Sequence, residues 1–118
     1  MTREKIVITG IGSLAPNGNN VDEFWDACTA GKSGIGPITY FDTSEQRVSI
    51  AGELSNFQPD TVLDQKEIRK LDPFSIYAIV ATDEAINMAN LDSQSINLDR
   101  VGVSVGSGVG GIQTLEEQ

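Results

Sequence analysis

The chain contains no histidine and a single cysteine. Without an imidazole, it has no Ser-His-Asp triad, no Cys-His pair and no His-ligated metal of its own. One thiol makes no internal disulfide and no multi-cysteine zinc site. No apolar run approaches the roughly 18 residues that a membrane span needs. The opening MTREKIVITG is basic, but its apolar stretch is short and broken by Gly10, which is unlike a secretory signal. Basic residues are scarce: eight, against 17 acids, give a net charge of −9. Such a chain is repelled by nucleic acid and by anionic membranes unless its bases cluster.

The composition that remains is globular, with 39% hydrophobic residues, 12 glycines and four prolines. A length of 118 residues suits one domain or a piece of a larger one. Residues 5–9 (KIVIT) and 101–105 (VGVSV) are β-branched and apolar, and predict two buried strands. The segment 10–20 is a loop rich in Gly and Asn. Asn20 and Glu23 form a capping pattern for a helix whose apolar stripe is Val21, Phe24, Trp25 and Cys28, with Gly31 as its stop. Residues 33–46 look irregular, and 47–54 alternate weakly as a strand would.

Asp64 and Glu67 predict a short helix over 65–71. Asp72 and Pro73 open a longer one over about 73–89, apolar nearly all round and so expected between layers, with Asn90 beyond its end. A loop over 91–99 precedes the second strand, and IQTLEEQ begins a last helix. This order indicates an α/β class with a mostly parallel sheet. Two or three strands are too few to cover the long helix on both sides, so an incomplete domain is expected.

Four features are candidates for function. GSGVGG at 106–111 fits G-x-G-x-x-G between a strand and a helix, the context of a dinucleotide fingerprint, or is a plain tight turn. Gly10-x-Gly12-x-x-Ala15 fits a looser form, but no helix follows at the required place. Cys28 lies near the C-terminal end of its helix, where the dipole disfavours a thiolate, and reads as a buried structural cysteine. Lys66, Arg69 and Lys70 share one helix face. They form either a solvated basic face or a docking site for an acidic protein or phosphate carrier.

Several segments also resemble a known family. IVITGIG at 6–12, Pro16-Asn17-Gly18, FWDACTAGKSGI at 24–35, YFDTS at 40–44, IAGEL at 50–54, KEIRKLDPFSIYA at 66–78 and RVGVSVGSGVGG at 100–111 follow the order seen in β-ketoacyl-acyl carrier protein synthases. The likeness is nearest to the type II elongating enzymes and covers essentially the whole chain. It implies a thiolase-like α-β-α-β-α layered fold, of which residues 1–118 are part of the N-terminal β-ketoacyl synthase domain, ending before the catalytic cysteine. The implied reaction is decarboxylative Claisen condensation by a cytoplasmic homodimeric acyltransferase that needs no cofactor. The Cys and two His of that chemistry lie later in the family's chain, so Cys28 is a decoy and no catalytic residue is expected here.

By position, Lys66, Arg69 and Lys70 match the residues that engage the acidic acyl carrier protein. Val109 matches an apolar residue bordering the acyl pocket, or is a turn residue packed in the core. The resemblance demotes the dinucleotide reading. A non-catalytic carrier-binding or chain-length-determining partner stands as the alternative to an enzyme.

Overall fold

The structure, a computed structural model, describes residues 4–91, 94 and 96–118. The first three residues, and positions 92, 93 and 95 of the expected 91–99 loop, lie outside it.

Helix α1 spans Val21–Thr29. The Asn20 side chain accepts from the Glu23 N–H at 2.8 Å, while the Glu23 carboxylate accepts from the N–H of Asn19 rather than Asn20. Gly31 ends the helix at φ 66°, a left-handed value that favours glycine. Two three-residue strands follow, β1 (Ile35–Pro37) and β2 (Ile50–Gly52). They pair antiparallel with Gly36 opposite Ala51. Strand β1 thus falls where the sequence looks irregular. Its Ile-Gly-Pro lacks alternation, and its pairing is set from a distance, by β2 and by the Glu53 carboxylate. That carboxylate accepts from the Thr39 N–H at 3.0 Å and Oγ1 at 2.7 Å.

A 3₁₀ turn at Pro59–Thr61 leads to helix α2 (Gln65–Ile68), shorter than the 65–71 expected. Helix α3 (Pro73–Met88) is the longest element, and Asn90 follows it at φ 50°. A second 3₁₀ turn covers Leu98–Arg100, and helix α4 (Ile112–Glu117) closes the described chain.

Helix α3 organises the rest. Its residues Ala81 and Ala85, with Ala89 at its C-cap, give one face almost no side-chain height, and the loop backbone at Gly10 and Gly12 lies directly on that face. A Cβ at Gly10 would collide with the Ala85 carbonyl, and one at Gly12 with the Ala81 carbonyl. The tight Gly-x-Gly spacing therefore serves helix packing. Glu84 completes the attachment: one carboxylate oxygen accepts from the Ser13 N–H at 2.9 Å and the other from the Val21 N–H at 2.8 Å. Both backbone donors would otherwise lack a partner at the entry to α1.

Burial is otherwise thin. Among the described residues only Ala27, Leu63 and Ile76 are buried, and the accessible surface is 10000 Å². A folded chain of this mass ordinarily exposes about 6,200 Å². Three expectations are corrected accordingly. Residues 5–9 and 101–105 are not strands: among the described residues neither finds a ladder partner, and Ile6 is 98% and Val103 84% exposed. Among the described residues the only strand ladder, β1 with β2, is antiparallel rather than parallel. Helix α3 is not enclosed, since Phe74, Ile79, Ile86 and Met88 keep exposed surface. Residues 101–105 instead run beside it. There Val103 and Val105 lie at the edge of an apolar groove of about 320 Å³ that Ile79, Ile86 and Val62 also line.

Candidate functional site: a basic turn beside a glycine-rich turn

Helix α2 owes its start to a complete capping box. The Asp64 carboxylate accepts from the N–H groups of Lys66 at 2.8 Å and Glu67 at 2.7 Å, and Glu67 accepts from the Asp64 N–H at 3.1 Å. Lys66 lies within the helix. Arg69 is its C-cap, and Lys70 follows in a tight turn whose N–H donates to the Glu67 carbonyl at 2.9 Å. All three cations are exposed, and among the described residues none forms a salt bridge. Their charge is available to a partner.

Arg69 and Lys70 stand at the rim of a cleft of about 640 Å³. Phe74 and Tyr77 of α3 form one wall, and Gly110, Gly111 and Thr114 contribute to the other. Phe57 meets the Tyr77 ring edge-on, with centroids 5.4 Å apart and planes at 75°. Burial, assisted by the nearby Tyr40 hydroxyl, raises the Tyr77 pKa, so its phenol stays protonated. The cleft therefore pairs a cationic rim with an aromatic, uncharged wall. The two cations suit an anionic partner at the rim, while the Asp72 and Glu117 carboxylates that also line the cleft disfavour an anion inside it.

The glycine-rich turn sits opposite. Gly110 adopts φ 80° and faces the Phe74 ring, with 3.6 Å between that ring and the place of a Cβ. Gly111 lies against the Asp72 carboxylate so closely that a Cβ would collide with it. That carboxylate stands where α4 begins, so the place a pyrophosphate would need already carries negative charge. This opposes the dinucleotide reading of GSGVGG. Val109, at the tip of the turn, is 77% exposed.

Cys28 is corrected from buried to exposed. It lies in the last turn of α1, whose one buried residue is Ala27, and Trp25 on the same helix is 65% exposed. Asn17 Nδ2 approaches the Cys28 Sγ at 3.8 Å and the Lys32 carbonyl at 3.4 Å. Among the described residues no His, Cys, Asp or Glu cluster is able to hold a metal ion.

Two functional contacts escape the sequence reading. Glu84 was one of a few acids in an apolar helix, which is the signal that would have marked it. Asp72 read as a plain helix cap, although its side chain points away from α3.

Residues 3–118 match the family defined as "Beta-ketoacyl synthase, N-terminal domain". The chain belongs to the β-ketoacyl synthase family. It is 39% identical, over all 118 residues, to a 3-oxoacyl-(acyl-carrier-protein) synthase 2 of Synechocystis sp., and spans 28% of that protein. It is 46% identical over 113 residues, 96% of the chain, to the enzyme of that name from Staphylococcus aureus, spanning 27% of it. Among solved structures, the ishigamide ketosynthase/chain length factor superposes with a TM-score of 0.75 at 30% identity, over 95% of this chain and 28% of that one. A type II PKS ketosynthase, solved with its acyl-carrier protein and bound to the hexaketide, gives 0.73 at 31% identity, over 93% of this chain and 29% of that one. The arrangement is thus thiolase-like α/β, of which the chain holds an N-terminal part.

Proposed function

We propose that this chain is the N-terminal portion of a type II elongating β-ketoacyl-carrier protein synthase. The observation that carries this reading is the family match over 3–118, joined to 39% and 46% identity with two 3-oxoacyl-(acyl-carrier-protein) synthases 2. In the reaction, a cysteine thiolate takes an acyl group from its carrier thioester. Malonyl thioester loses CO₂, and the resulting carbanion attacks the acyl-enzyme carbonyl. A new C–C bond forms, the C–S bond to the enzyme breaks, and the thiolate is released.

This segment has no histidine, and its one cysteine lies at the wrong end of a helix to be activated. It supplies docking and pocket surface, and alone it condenses nothing. The rest of the protein covers the bare faces of α3 and of residues 5–9 and 101–105. On this reading the parent is a cytoplasmic homodimer. The net charge of −9 argues against a nucleic-acid partner.

The acidic acyl carrier protein docks on Lys66, Arg69 and Lys70. Their exposure and lack of internal partners support this role, as does the cleft that leads from Arg69 and Lys70 toward the glycine-rich turn. Val109 borders the acyl chain from that turn.

Single-turnover assays with acyl- and malonyl-carrier protein test the proposal. The intact protein yields a β-ketoacyl product, and the triple variant K66E/R69E/K70E slows carrier association about tenfold or more at low salt. An intact protein that binds carrier protein but forms no product defeats the enzyme reading. It favours instead a non-catalytic, chain-length-determining partner, a reading supported by the likeness to a ketosynthase/chain length factor. Titration with NADH gives no fluorescence change if the glycine-rich turn holds no nucleotide.

A further inference from the structure

Asp72 opens α3 with the backbone of an N-cap, φ −66° and ψ 150°, yet its side chain bonds to no N–H of the first turn. The carboxylate instead accepts from Thr114 Oγ1, 42 residues further on. It also rests on Gly111, so closely that a Cβ there would push the carboxylate aside. Arg69 and Lys70 line the same cleft, but neither takes this carboxylate. The acid is committed to the glycine-rich turn, and the cations stay free.

The turn has little else to hold it. Gly106 and Gly108 have nothing within 4 Å of the Cβ position, and Val109 is exposed. Its fixed points lie on the C-terminal side: Phe74 beneath Gly110, then Asp72 against Gly111 and Thr114. All of these anchors come from the residues that directly follow the basic turn.

We propose that Asp72 is a positioning residue. Through Thr114 it clasps the glycine-rich turn to the chain segment that bears Arg69 and Lys70, and so fixes Val109 for acyl-chain selection. The proposal rests on reading the chain as part of an elongating synthase. Opening the clasp lets Val109 take a wider range of positions, which blurs discrimination between acyl chains and leaves the cations untouched.

Thr114→Val keeps the side-chain shape and removes the donor; Thr114→Ser restores it. In the intact protein two quantities are measured: amide hydrogen exchange over 106–111, and the ratio of kcat/KM for short and long acyl primers. Thr114→Val is expected to speed exchange on the order of tenfold and to change the primer ratio about threefold or more. Thr114→Ser restores both, and carrier affinity stays within about twofold throughout. Unchanged exchange in Thr114→Val overturns the clasp. Faster exchange with an unchanged primer ratio overturns the selection role. If the unaltered protein condenses no primer at all, the synthase reading fails and the selection role with it, while exchange still decides the clasp.

Discussion

Residues 5–9 and residues 10–20 are neighbours in sequence, but they are held in opposite ways. The second stretch is seated on α3 by two glycines that no other residue replaces and by the Ser13 N–H bond to Glu84, whose other oxygen takes Val21 immediately after it. The first is far more apolar and is left bare, with Ile6 at 98% and Ile8 at 85% exposure. Apolar content states a need for cover without saying what provides it. Close backbone approach and a bidentate carboxylate name their partners outright. The same contrast separates Val103, which faces solvent beside α3, from Gly111, which is locked against Asp72.

The sharpest way to break this contrast is at Gly12. Gly12→Val drives a branched side chain into the Ala81 carbonyl, and we expect a loss of about 3 kcal/mol or more in urea denaturation. A loss below about 1 kcal/mol would show that the loop is not seated on the helix. Next comes Glu84→Ala, which strands two half-buried backbone donors. It is expected to cost about 2 kcal/mol and to speed amide exchange at Ser13 and Val21. Val103→Thr, on the uncovered side, should shift the stability of this 118-residue chain by no more than about 0.5 kcal/mol. A larger loss would mean that 101–105 is covered in solution.

The smallest effect concerns Glu53. Hydrogen bonds from the Thr39 hydroxyl and backbone lower its pKa from the ordinary 4.5. A depressed folded-state pKa stabilises above the unfolded value, and the contribution is lost as pH falls through the folded one. Thr39→Val should therefore move the Glu53 midpoint upward in an NMR titration and reduce the acid sensitivity of the β1–β2 ribbon. An unmoved midpoint would show that the hydroxyl does not hold the carboxylate.

What was legible in the sequence follows from the range of each signal. The Asn20 cap, the Gly31 stop, the Asp64–Glu67 box, Pro73 at the head of α3 and the left-handed Asn90 are complete within a few residues, and each appears in the structure. Strand pairing is not local, so KIVIT and VGVSV stay unpaired, while the unpromising IGP forms a strand by meeting IAG. The apolar stripe through Cys28 indicates burial only if something covers it, and the thiol is exposed. For the candidate site, the three cations and the turn were legible as separate patterns. The meeting of Arg69 and Lys70 with that turn around one cleft was not, because it depends on Asp72 and Thr114, 42 residues apart.

The single tryptophan gives α1 a built-in reporter. Trp25 is the only indole in the chain and is 65% exposed, so its fluorescence should be red-shifted and readily quenched by iodide in solution. Anything that comes to lie on that face of α1 dries the ring, shifting its emission to the blue and shielding it from quencher. The docking of further protein onto this segment is therefore readable by light, without any label.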